Sequence, residues 1–181
     1  MKKIVSLYKR DFVGNHLVYD EVVEGAAWVL NGEGEATRKW DGSSVMVRDG
    51  HLFKRYTLKP SHTAPTEFEA ATEIDEKTGK QEGWMPVSNG PEDKWHREAY
   101  RSEWPNGTYE LIGPKVQGGV EKPEGDHILI AHGLHVLDPN PVRTFDELRD
   151  YLDGGGIEGI VWHHPDGRMV KIKARDFGVK R

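Results

Sequence analysis

The sequence predicts an α+β fold of antiparallel sheets with flanking helices, and three observations predict it. Strand-like runs follow one another at short intervals, Asp-Gly turns punctuate them, and helical periodicity is scattered rather than interleaved with the strands. A doubly wound parallel sheet would instead alternate strands with helices.

Taken in order, Glu35 to Lys39 reads as a strand leading into an Asp-Gly turn at Asp41-Gly42. "SSVMVR", a second Asp-Gly turn at Asp49-Gly50 and "HLFKRYTLK" then make a hairpin signal. Helical periodicity over 64–74 is imperfect. Strand signals return at "TYELIG", "HILIAHGLHVL", "GIEGIVWHH" and "GRMVKIK", with "HPDGR" turning between the last two. The firmest helix is "RTFDELRDYLDGGG", with Thr144 as N-cap, Glu147 completing a capping box, and a glycine stop. "NGEGE", "SNGPED" and "WPNG" mark loops, and no internal repeat is present.

The 181 residues fit a single domain over 1–181, large enough to bury its own core. With no cysteine, thiolate metal sites, disulfides and cysteine nucleophiles are excluded. "MKKIVSLYKRDFVG" lacks a secretory-type apolar run, and no segment reaches membrane-spanning length, so a cytoplasmic protein (or one in the cytosol of a host cell) is expected. The net charge of −5 argues against indiscriminate coating of nucleic acid, but cations gather in "FKRYTLK" and "RMVKIKARDFGVKR".

Three patterns carry chemistry. "KWDG" places Lys39 directly before an Asp-Gly turn, and alone it is compatible with a solvated turn. "TYELIG" sets Glu110 within an apolar strand, where alternation also permits a solvated face. "GIEGIVWHHPDGRMVKIK" has Glu158 ahead of a hairpin that returns Lys171 and Lys173 on one strand face. Two ammonium groups side by side invite an anion such as polyphosphate. His163 and His164, adjacent on a strand, face opposite ways and make a poor zinc pair.

In this order the patterns resemble the motifs of the ATP-dependent covalent nucleotidyltransferases, the superfamily of RNA and DNA ligases and mRNA capping enzymes. Within it, "KWDG", "GWMPV", "ELIG", "LIAHG" and "IEGIVWHHPDG", with a lysine strand and "FG" following, are most similar to the vertebrate-type 5′-to-3′ RNA ligase family. The resemblance implies an ATP-grasp-like adenylation domain and three reactions: Lys39 attacks ATP to form lysyl-AMP, AMP passes to an RNA 5′-phosphate, and a 3′-hydroxyl displaces it. Lys171 and Lys173 would be catalytic, disfavouring the Lys39 ammonium and holding phosphate. Glu158 would hold Mg²⁺ or Mn²⁺.

Nucleotide binding is implied for Thr37, Arg55, Glu110, His132, Glu158, Lys171 and Lys173, with Arg55 and Glu110 on the ribose. His132 would lie on the adenine or, alternatively, be a strand histidine satisfied by its neighbours. Lys9 and Arg10 would meet pyrophosphate or simply be exposed. The partner is RNA with 5′-phosphate and 3′-hydroxyl ends, DNA not excluded, acted on by a monomer. No OB-fold domain is expected beyond the lysine strand, which counts against capping chemistry. The competing readings are a non-catalytic nucleotide- or RNA-end-binding module, a DNA ligase, and a GTP-using capping-type transferase.

Overall fold

In a computed structural model the described residues are 4–121, 123–141 and 143–180. They form strands β1 (Val5–Ser6), β2 (Tyr8–Arg10), β3 (Val18–Val22), β4 (Glu35–Lys39), β5 (Ser43–Arg48), β6 (His51–Leu58), β7 (Glu69–Ala70), β8 (Gln81–Pro86), β9 (Gly107–Ile112), β10 (Ile128–Ala131), β11 (Gly159–His163) and β12 (Met169–Lys173). The helices are α1 (Lys94–Ala99) and α2 (Phe145–Gly154). The architecture is mixed α/β and mostly sheet. The contacts group the described residues into two compact units, one of Ile4–Trp40 with the residues from Gly133 onward, the other of Asp41–His132.

The first unit carries a four-stranded sheet in the order β1-β12-β11-β4 and the small β2-β3 pair. Its central strands alternate, so Ala36, Ile160, Trp162, Val170 and Ile172 point to one face and pack with Leu7, Trp28, Leu148 and Leu152. Ile160 and Ile172 are fully buried, each contributing about 1.5–3 kcal/mol. Thr37, Lys39, Val161, Lys171 and Lys173 therefore fall on the opposite face.

The second unit is a six-stranded antiparallel sheet, β10-β9-β5-β6-β8-β7. Val45, Val47, Tyr109, Leu111 and Leu129 form its core with Ala99 of α1. The expected hairpin is present: β5 pairs with β6, and Arg48 opposes His51 across a two-residue turn. Asp49 and Gly50 both have positive φ, as a type I′ turn requires.

Several expectations need correction. Asp41-Gly42 makes no hairpin, because β4 pairs with β11 and β5 with β6 and β9. Gly42 is a glycine for a different reason: a Cβ there would lie 2.2 Å from the Leu111 carbonyl oxygen. Within "HILIAHGLHVL", only Ile128–Ala131 is a strand of the six-stranded sheet. His135 and Leu137 instead bond the backbone of Arg38 and Ala36 at the edge of β4. The stretch 64–74 yields the two-residue β7 rather than a helix.

α2 forms as expected, but the Thr144 hydroxyl donates to the Glu147 carboxylate instead of closing a capping box on the backbone. The N-terminal strands and α1 have no counterpart in the sequence reading. β1 runs parallel to β12, so the C-terminal sheet is not wholly antiparallel.

Candidate active site

Register assembles the polar face of the four-stranded sheet. Gly159 of β11 lies opposite both Lys39 of β4 and Lys173 of β12. One step along, Thr37, Val161, Lys171 and Ser6 form a row across all four strands. Glu158 immediately precedes β11, and its backbone carbonyl accepts the Ala174 N–H at 2.9 Å.

The Glu158 carboxylate bridges two lysines. Lys39 Nζ donates to Oε2 at 2.5 Å and Lys173 Nζ to Oε1 at 2.8 Å. All three side chains are largely buried, at 20%, 10% and 14% exposure for Lys39, Glu158 and Lys173. Burial alone would raise the Glu158 carboxyl, but Lys39 and Lys173 outweigh it and hold its pKa below the ordinary value.

Gly159 makes this bridge possible. A Cβ at that position would sit 2.1 Å from the Ile172 carbonyl oxygen and 2.9 Å from Lys173 Cα, so only glycine lets β12 approach this closely. Gly159→Ala should push β12 outward, lowering stability by about 1–3 kcal/mol by overpacking and separating Lys173 from Glu158. Thermal melts check the first effect. An unchanged melting temperature would show that the backbone there relaxes freely.

Lys171 is the cation left over. Burial first, then Lys173 and Lys39, bring its pKa down to about 8, and Asp176 and Glu158 oppose the fall. The expectation that Lys171 and Lys173 disfavour a charged Lys39 thus meets a different arrangement: Lys39 is ion-paired with Glu158, and Lys171 bears the repulsion. A depressed lysine costs stability below its folded pKa, and the cost is relieved as pH rises from about 8 towards 10.5. Lys171→Met should therefore raise stability at pH 7 by about 2 kcal/mol after solvent screening, a gain that vanishes near pH 10.5. Denaturant melts at the two pH values measure it.

Two further pairs brace this face. Thr37 is buried, its hydroxyl donating to the Val161 carbonyl at 3.1 Å and lying 3.0 Å from His163 Nε2. Buried Asp176 pairs with Arg10 and accepts the Lys173 backbone N–H at 3.1 Å. Arg10 is thereby committed to Asp176, and Lys9 to Glu21. His163 and His164 have separate partners, His164 lying 3.1 Å from Glu33 and 2.8 Å from Asp166.

The remaining candidates belong to the six-stranded sheet. Glu110 is buried, and His132 Nε2 lies 2.9 Å from its Oε2, so Glu110 does not sit on a solvated face. His132 Nδ1 lies 3.0 Å from Thr108 Oγ1, so both ring nitrogens are engaged, as in a strand histidine satisfied by its neighbours. Arg55 pairs with Glu82 at 3.2 Å and stands 5.2 Å above the Trp84 ring.

For a divalent cation, Glu158 is the carboxylate at the lysine cluster, and the described residues contain no group of three or more potential metal ligands. Sequence reasoning missed Ser6, Asp176 and the Thr37–His163 contact, because each gains its place through a distant strand and no local pattern signals it. No helix among the described residues is long and apolar enough to cross a membrane.

Comparison with known proteins gives one consistent result. Residues 101–181 match the RNA ligase 1 family. That span contains Glu110, His132, Glu158, Lys171 and Lys173, while Lys39 lies upstream. RNA ligase 1 of Danio rerio is 34% identical over 80 residues, covering 40% of this chain and 25% of that protein. RNA ligase 1 of Pongo abelii is 25% identical over 140 residues, covering 59% and 43%. RNA ligase 1 of Rattus norvegicus is 26% identical over 184 residues, covering 78% and 56%. The chain thus spans about half or less of the length of these curated relatives.

Proposed function

We propose that this chain is the adenylation part of an ATP-dependent RNA ligase, with an ATP-grasp-like nucleotidyltransferase fold. The observation that carries the reading is the Lys39–Glu158–Lys173 bridge, with Lys171 beside it on the same sheet face. The similarity to RNA ligase 1 proteins supplies the substrate class.

In the first reaction the free amine of Lys39 attacks the α-phosphorus of ATP. An N–P bond forms, the P–O bond to pyrophosphate breaks with its electron pair leaving on oxygen, and the nitrogen passes its proton to water. A 5′-phosphate oxygen of RNA then displaces Lys39 from AMP, and a 3′-hydroxyl finally displaces AMP. Glu158 holds Lys39 in place beside Lys173, and water takes the proton that Lys39 gives up before it attacks. A divalent ion at Glu158 would supply charge neutralisation for phosphate. Lys171 and Lys173 supply fixed positive charge where the phosphates gather. From the resemblance, Arg55 and Glu110 are proposed for the ribose hydroxyls and the face of His132 for the adenine.

One observation favours a non-catalytic end-binding module: Lys39 is held in an ion pair with Glu158 at 2.5 Å and not left free to attack. Incubation with α-labelled ATP, GTP and NAD in parallel, with Mg²⁺ or Mn²⁺, separates the readings. Adenylation from ATP is expected; binding without covalent label supports the module, and label from GTP a capping-type transferase. Joining of 5′-phosphorylated RNA but not DNA strands completes the assignment.

A further inference from the structure

The outer end of the lysine face holds a buried hydroxyl without a partner. Ser6 Oγ of β1 is inaccessible to solvent and makes no hydrogen bond. Its register partner is Lys171, whose ammonium has no ion pair among the described residues. Leu7, the next residue, is fully buried in the core, so alternation turns Ser6 to the polar face. A buried donor left unsatisfied is unfavourable and requires an explanation. Here one unsatisfied donor lies in register with one unpaired cation, on the face that carries Lys39. The groups expected to meet pyrophosphate are unsuited to it, since Lys9 and Arg10 are engaged by Glu21 and Asp176.

The geometry points to an oxyanion subsite formed by Ser6 and Lys171, which takes phosphate oxygens at the β1 edge of the sheet. The hydroxyl donates to one oxygen and the ammonium to the same or a neighbouring one, so each gains the partner it lacks. Resting on the adenylation reading, the ligand is the pyrophosphate end of ATP. A 5′-phosphate of RNA has the same chemistry and is the other source.

Ser6→Ala tests this cleanly, because it removes a hydroxyl that bonds nothing in the fold and should leave the melting temperature unchanged. Calorimetric titration with inorganic pyrophosphate should show affinity reduced about five-fold, the loss of one hydrogen bond, with AMP binding unaltered. The Ser6→Ala and Lys171→Met effects should be non-additive, as for groups sharing one ligand. Weakened binding of a 5′-phosphorylated oligoribonucleotide, with pyrophosphate unaffected, would assign the subsite to the RNA phosphate instead. Equal affinities of wild type and Ser6→Ala for both ligands would overturn the subsite. Because pyrophosphate binding needs no catalysis, this result is independent of whether Lys39 becomes labelled.

Discussion

Lys39→Ala should abolish covalent labelling by α-labelled ATP, whereas Lys59→Ala should retain it. The loss is absolute in kind, because removing a nucleophile removes the covalent intermediate. Lys39→Arg should fail as completely, since a guanidinium stays protonated at every accessible pH and cannot attack phosphorus. The fold should survive in either variant, because Glu158 still has Lys173, 2.8 Å away in the wild type, as a partner. A melting curve recorded beside the labelling assay checks this. Label surviving in Lys39→Ala would remove Lys39 from the chemistry altogether.

Glu158→Gln should lose adenylation and also destabilise the unit that contains it. The substitution preserves shape but withdraws the negative charge that Lys39 and Lys173 share. Breaking a buried ion pair in this way costs about 3–5 kcal/mol, and the two lysines would be left to repel each other and Lys171.

The sign with pH is definite. A carboxyl whose pKa is lowered in the fold contributes stability above its unfolded value of 4.5 and loses it as pH falls through the folded value. Wild type should therefore exceed Glu158→Gln most above pH 4.5, with the gap closing as pH falls below that value. A gap independent of pH would mean that Glu158 acts through packing and not through charge.

Local patterns in the chain were legible where the structure follows local rules. The β5–β6 hairpin is announced by Asp49-Gly50 because the turn chemistry and flanking strands are contiguous. α2 is announced by Thr144 and the glycine run, although Thr144 bonds the Glu147 side chain rather than the backbone. Asp41-Gly42 misled because it looks identical to a hairpin turn, yet its glycine answers to the Leu111 carbonyl of β9. "HILIAHGLHVL" misled for a related reason: a continuous apolar run does not state that its halves will serve different sheets. β1 and β2 are too short to show a periodicity.

For the site, alternation alone places Lys171 and Lys173 on one face, whereas Lys39 alone is compatible with a solvated turn and was marked, with Glu158, by the resemblance of the ordered motifs. Alternation is a property of neighbouring residues and depends on strand geometry that repeats every second position. What only the tertiary structure decided is which of these groups meet. Lys39 and Glu158 are 119 residues apart in the chain and touch because β4 pairs with β11, which begins directly after Glu158. Ser6 reaches Lys171 because β1 joins that sheet in parallel register. The order of strands in a sheet is set by the burial of their apolar faces across the whole unit, and no short segment contains that information.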